Sequence, residues 1–200
     1  MKKYSVIFIT MALLYACNTA PKEEKESITA QKPSLEDYHI GEQWTWMEKS
    51  VAGEKIRWEG QDKREVVAFE GSLGFWNGTD TVLISNTIKE ETSNTPFRDW
   101  PLEVGKKWTF ESKWENAEGT AMITNQEVEV VSYEEVVVLA GRFMAYKIEH
   151  KGTFTNTKAG SGKMNDTYWY APALKTSIKH AQDDGYGSYM FELYDYKSGK

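Results

Sequence analysis

The residues able to do chemistry are few and scattered. His39, His150 and His180 are the only imidazoles, and no Ser stands in the Gly-x-Ser-x-Gly turn that would raise a nucleophile beside a base. Ser161, in Gly160-Ser161-Gly162, reads as a loop residue. A metal would have to use His180 with Asp183 and Asp184. Asp183-Asp184-Gly185 reads more simply as an exposed hairpin turn in which Asp accepts from its own backbone. No Asp-x-Asp-x-Asp loop and no His-Glu-x-x-His is present. Glu90-Glu91 and Glu134-Glu135 are adjacent acids, but strand neighbours point to opposite faces, so neither makes a general acid–base pair. Glycine-rich phosphate loops are absent. A single Cys excludes an intrachain disulfide and a multi-thiolate zinc site. The expectation is a chain that is not an enzyme and holds no cofactor or metal.

What remains is aromatic. Eight Trp, 11 Tyr and 8 Phe stand in 200 residues. Trp58 lies between Arg57 and Glu59, and Trp114 between Lys113 and Glu115, which predicts partial exposure. With Trp76 and Trp169 they are the candidate ligand-binding residues, able to stack sugars or hold an acyl chain on a concave sheet. The alternative is core packing and cross-strand ladders. The formal net charge is −6, which argues against a phosphate-binding face and a nucleic-acid partner.

The one Cys has a specific context. Lys2 and Lys3 precede a mostly apolar run, Val6 to Ala16, too short to span a bilayer but suited to a signal-peptide core. The run ends in Leu14-Tyr15-Ala16-Cys17, which resembles the bacterial lipobox. The resemblance implies removal of residues 1–16, lipidation of Cys17 and a membrane partner held through acyl chains. Removal takes two Lys and no acid, so the mature charge becomes −8. Asn18 stands where an Asp would favour inner-membrane retention in proteobacteria, so the resemblance implies the outer membrane, facing the periplasm or the surface. Residues 17–34, with no aromatic and many Lys, Glu, Thr, Ser and Pro, read as a lipidated Cys and flexible tether.

From Leu35 to residue 200 the pattern is alternation, not helical spacing. Trp44 and Trp46 share one strand face, as do Val128 and Val130, Met144, Tyr146 and Ile148, and Tyr189, Phe191 and Leu193. Val82, Ile84 and Ile88 are read the same way. Gly-containing turns punctuate these runs, Asn77-Gly78 being the strongest type I′ signal. The fold class is mainly β: a single antiparallel, strongly curved sheet, a β-roll or half-barrel, with few or no helices. An internal echo at an offset of 64 aligns 40–70 with 104–134. Gly41, Trp44, Thr45, Lys49, Glu54, Glu65, Val66, Val67 and Glu70 recur identically. Two similar hairpin units within one domain, 35–200, are therefore expected; neither half alone would bury enough for a robust core.

Three phrases carry a resemblance over roughly residues 95–197. They are Trp100-Pro101-Leu102-Glu103-Val104-Gly105-Lys106-Lys107-Trp108-Thr109-Phe110, Val136 to Ile148 around Ala140-Gly141-Arg142-Phe143, and Tyr168-Trp169-Tyr170-Ala171-Pro172. In that order they resemble the TapB-related group of uncharacterised bacterial envelope lipoproteins and its spiral β-roll relatives, similar in shape to LolA and LolB. The resemblance implies a fold and an address, and is silent about chemistry. The expected function is a non-enzymatic envelope lipoprotein that binds an apolar ligand or a partner, whether protein, glycan or lipid. The alternative is an assembly or structural factor for a surface appendage such as a pilus; a hydrolase is the third reading.

Overall fold

The computed structural model describes residues 28–89, 92–158 and 160–200. The signal-peptide and Cys17 readings lie outside the described residues, as do Glu90 and Glu91. After β1 (Thr29–Ala30) and a 3-10 turn (Leu35–Asp37) comes a first meander: β2 (Gln43–Ala52), β3 (Lys55–Phe69), β4 (Ser72–Trp76) and β5 (Thr81–Leu83). A single helical turn, α1 (Ile84–Thr87), and β6 (Leu102–Glu103) lead to a second meander. It comprises β7 (Lys107–Glu115), β8 (Ala121–Val138), β9 (Gly141–Asn156), β10 (Gly160–Ala171), β11 (Thr176–Asp183) and β12 (Ser188–Lys197). A 3-10 turn at Pro172–Leu174 separates β10 from β11.

The two meanders form one antiparallel sheet of 10 strands, because β12 pairs with β2. The order is β5-β4-β3-β2-β12-β11-β10-β9-β8-β7, so the sheet stays open, with β5 and β7 as its edges. Next-but-one strands stand roughly 9–10 Å apart in a flat sheet. Yet Gln126 Nε2 on β8 donates to Asp166 Oδ2 on β10 at 2.7 Å, and Trp46 Nε1 on β2 donates to the Ser177 carbonyl on β11 at 3.1 Å. Groups that converge across an intervening strand mark the inside of a curve. This concave face carries Trp44, Trp46, Val66, Val128, Val130, Tyr146, Ile148, Tyr170 and Leu193, all buried.

The echo has matching local geometry. Gly41 and Gly105 take φ of 84° and 90°, a region open to glycine and strained for other residues. Gly41 N–H donates to the Val66 carbonyl and Gly105 N–H to the Val130 carbonyl, both at 2.8 Å. Val66 N–H returns to Glu42 at 2.8 Å and Val130 N–H to Lys106 at 3.0 Å. The registers also correspond, with Gln43 opposite Glu65 and Lys107 opposite Glu129.

Three local expectations change. Ile84 and Ile88 do not continue the β5 face; Ile88 N–H donates to the Ile84 carbonyl at 3.0 Å across a helical turn. Their spacing of four fits that turn, and Ile84 is fully buried. Asn77-Gly78 does join β4 to β5, but through a four-residue loop in which Asn77 Oδ1 accepts from Thr79 and Asp80 N–H. The two-residue turn with consecutive positive φ is Glu70-Gly71, at 50° and 73°. Finally, residues before Ser34 already pack. Thr29–Ala30 pairs with Leu102–Glu103, Ala30 is buried, and Tyr146 Oη donates to the Ile28 carbonyl at 2.8 Å. The partners there are backbone groups, so side-chain composition gives no sign of them.

Candidate functional site

The connection between β5 and β7 creates the site. It starts at one edge of the open sheet and ends at the other, and it crosses the concave face. Phe97 sits against Phe110, His150 and Tyr168, with ring centroids 5.4, 5.2 and 5.2 Å away. Trp100 meets Tyr170 edge-on at 5.3 Å, and Arg98 Nη2 donates to Ser177 Oγ at 2.6 Å. Trp108 Nε1 donates to the Pro96 carbonyl at 2.9 Å and fixes the segment against β7.

Between this segment, the sheet and residues 32–38 lies a cavity of ≈ 300 Å³. A smaller one of ≈ 180 Å³ shares Arg64, Phe97, Arg98 and Thr176 with it. Together they form a two-lobed cleft. The larger lobe is walled by Tyr38, Trp44, Phe75, Phe97, Trp100 and Tyr170, and by the cations Lys32, Arg64, Lys89, Arg98 and Lys175. Among the described residues no carboxylate lines it; Glu48 and Asp62 line the smaller lobe. The overall acidity of the chain conceals this local excess of positive charge.

The cations are not equally engaged. Lys175 Nζ stands 2.6 Å from Glu42 Oε1, which also accepts from Tyr196 Oη at 2.8 Å. Glu42 is buried, and its Oε2 has no partner. Lys32 Nζ donates to the Lys89 carbonyl. Arg64 lies over the rings of Trp46 and Phe75, with Cζ 5.5 and 5.0 Å from their centroids. Among the described residues its guanidinium makes no hydrogen bond and no ion pair; Asp62 attracts it from farther off. Arg98 lies over Tyr170 at 4.6 Å and, among the described residues, hydrogen-bonds only to Ser177. Burial pulls both guanidinium pKa values down from their ordinary level, the mark of cations lacking a close counter-charge, though an arginine stays protonated. Burial also pushes the Tyr170 phenol up to about 12, so it is neutral.

Below the cleft lies a polar layer. Asp166 accepts from Gln126 Nε2 at Oδ2 (2.7 Å) and from Gln182 Nε2 at Oδ1 (2.9 Å). His180 Nε2 stands 2.9 Å from Oδ1, and the His180 ring stacks on Tyr168 at 4.1 Å. Burial opposes ionisation of Asp166, but these hydrogen bonds outweigh it and hold the carboxyl below its usual value. His150 is 1% exposed amid Phe97, Trp108, Phe110 and Tyr168, and its Nδ1 has no partner. Burial lowers its pKa to about 4, against the attraction of Asp166 and with the repulsion of Arg98 and His180. The imidazole is neutral at pH 7. Among the described residues no Ser or Thr hydroxyl is hydrogen-bonded to His180, and no trio of His, Cys, Asp or Glu is poised for a metal. Asp183 and Asp184 accept from the backbone of Gly185, Tyr186 and Gly187 in the β11–β12 turn.

None of the four tryptophans singled out from sequence lines the cleft. Trp58 is 46% exposed and leans on Tyr189 at 5.9 Å; Trp114 is 49% exposed on edge strand β7. Trp76 ends β4 beneath Lys63, and Trp169 is half-buried beneath Lys179. They occupy separate places and do not form one surface. Trp44, Trp100, Arg64 and Arg98 are among the residues that line the cleft instead. Arg64 had a legible signal, because it shares a strand phase with buried Val66. Arg98 sits in an irregular connection and had none. A third cavity, ≈ 610 Å³, lies by Trp108 and Val128, but its two lysines are tied to glutamates: Lys107 to Glu129 at 3.1 Å and Lys151 to Glu149 at 2.5 Å.

No protein-family model matches the chain, and no curated protein matches it. Three solved structures are similar in shape at low sequence identity. One is a candidate lipoprotein from Parabacteroides distasonis: 12% identity, TM-score 0.48, with 85% of this chain and 100% of that one covered. Another is a candidate exported protein with a YmcC-like fold from Bacteroides fragilis: 12% identity, TM-score 0.38, with 86% and 100% covered. The third is the hypothetical lipoprotein YmcC from Escherichia coli: 10% identity, TM-score 0.39, with 76% and 84% covered.

Proposed function

We propose that this chain is a bacterial envelope lipoprotein that binds a small ligand in the two-lobed cleft and carries out no catalysis. The observation that carries the reading is the cleft itself. Trp44, Phe75, Phe97, Trp100 and Tyr170 converge from both meanders and the crossing segment on a cavity of ≈ 300 Å³, at the lower bound for small-molecule sites. That volume favours a compact aromatic or short-chain ligand over a multi-chain lipid. The TapB-related phrases and the LolA-like shape they imply agree with a curved sheet used as a holder. The Leu14-Tyr15-Ala16-Cys17 phrase supports anchoring through acyl chains on Cys17, and Asn18 supports the outer membrane.

The cleft reading is tested by titrating the full chain with naphthalene-class ligands and following tryptophan fluorescence, since Trp44 and Trp100 line the larger lobe. Saturable quenching is the expected result. Fluorescence unchanged by every ligand, with no small molecule extractable from the native protein, would overturn it. The anchor is tested by palmitate labelling in cells: label is expected on the native chain and lost in Cys17→Ala. Equal labelling of both would refute it.

A further inference from the structure

Arg64 and Arg98 are exceptional among the cations of this chain. Both line both lobes of the cleft, so the two side chains border the same space. Both lie over rings: Arg64 over Trp46 and Phe75, with Cζ 5.5 and 5.0 Å from their centroids, and Arg98 over Tyr170 and Phe97, at 4.6 and 5.3 Å. Contact with a ring face holds a guanidinium without consuming its N–H donors. Each group has five such donors. Among the described residues Arg64 uses none in a hydrogen bond, and Arg98 is bonded only to Ser177 Oγ.

Two half-buried cations held this way are costly unless an anion completes them. Among the described residues, none lines the larger lobe. Glu42 is occupied by Lys175 and Tyr196, while Glu48 accepts from Tyr189 Oη at 2.8 Å in the smaller lobe. Asp62 attracts Arg64 without forming an ion pair. The unspent donors thus face a space walled by aromatic rings. Planar, forked donors suit the two oxygens of a carboxylate, sulfonate or phosphate, and the rings suit an apolar body.

We propose that the cleft is a binding site for a small amphipathic anion. Its single oxyanion group is held between Arg64 and Arg98, and its aromatic or short aliphatic body lies among Trp44, Phe75, Trp100 and Tyr170. This assignment rests on the ligand-binding reading above and adds the charge of the ligand. Lys89 and Lys32, at the rim of the larger lobe, contribute long-range attraction that salt screens; the arginine pair supplies the directional contacts.

The test uses the full chain in a non-ionic detergent, with two probes of matched shape. 1-Naphthalenesulfonate carries the anion and 1-naphthalenemethanol does not. Affinities are read by calorimetry for the native chain, Arg64→Gln, Arg98→Gln and, as a control on the opposite hairpin, Lys107→Gln. The native chain is expected to bind the sulfonate at least tenfold more tightly than the alcohol. Each arginine substitution should remove at least tenfold of sulfonate affinity and leave the alcohol within about twofold, and Lys107→Gln should change neither. Equal affinity of the native chain for both probes, with no effect of either arginine, would overturn the anion assignment while leaving the cleft a ligand site. Binding of neither probe would overturn both readings. The comparison of probes on the native chain stands even if an arginine variant does not fold.

Discussion

The hairpins β2–β3 and β7–β8 follow one backbone plan and do opposite things with it. Each starts from a left-handed glycine, Gly41 or Gly105, and the same paired hydrogen bonds close onto Val66 or Val130. At matching positions on the concave face the first hairpin has Trp44, Arg64 and Asp62; the second has Trp108, Val128 and Gln126. In the second, Val128 is buried, Trp108 packs edge-on to His150, and Gln126 is spent on Asp166. In the first, the matching ring and cation border open space. Glu42 and Lys106 differ in the same sense. The former is buried with Lys175, whereas the latter fixes the crossing segment by pairing with Asp99 at 3.0 Å. One plan yields a wall of packed side chains and a wall that carries a cation with unspent donors, the difference on which the proposed anion site rests.

The largest expected effect comes from removing the ring that holds the first hairpin to its surroundings. Trp44 is fully buried and its Nε1 donates to the Leu174 carbonyl at 3.1 Å. Trp44→Ala should cost about 3–5 kcal/mol in urea unfolding. Trp108 is half-buried, so Trp108→Ala should cost about 2 kcal/mol; equal losses would break the contrast.

Val128→Arg copies the first hairpin into the second. Val128 is 2% exposed, so the new charge would be buried without a partner. A loss of about 4 kcal/mol is expected in the same assay. A loss below about 1 kcal/mol would mean that the second wall is as open as the first.

Acid should act through the second wall. His150 has a pKa of about 4 when folded, against about 6.5 unfolded. The unfolded chain therefore takes up the proton first as pH falls. Stability should drop by about 3 kcal/mol between pH 6.5 and 4 and gain no further loss from this group below that. Asp166, held below its usual value, contributes stability at neutral pH that is lost as pH falls through its folded-state value. His150→Phe should remove the upper part of the decline; an unchanged profile would assign that part elsewhere. The smallest effect is expected at Trp58, which is 46% exposed: Trp58→Ala should shift stability by about 0.5 kcal/mol or less and leave naphthalenesulfonate affinity unchanged.

Much of this fold was legible because it rests on period-2 alternation. Trp44 and Trp46, Val128 and Val130, and Tyr189 to Leu193 fall on the expected face, and the glycine turns at Gly53, Gly119, Gly141 and Gly185 join the expected strands. The site was less legible. Exposure between charged neighbours drew attention to Trp58 and Trp114, but an exposed ring on an outer face or edge does not make a pocket. The pocket exists because an irregular connection crosses from one sheet edge to the other, and no local pattern announces where Phe97, Arg98 and Trp100 land. Arg64 was readable in principle as a charge on an inward strand phase; a net charge of −6 drew attention away from it.

Arg64→Val gives the first hairpin the residue of the second, and one variant then answers two questions. Its urea stability and its affinity for 1-naphthalenesulfonate are measured side by side. If Arg64 is kept for an anion, stability should rise by about 1 kcal/mol, because a cation without a counter-charge is replaced by an apolar side chain, and affinity should fall at least tenfold. Lower stability with unchanged affinity would make Arg64 a structural residue and contradict the account.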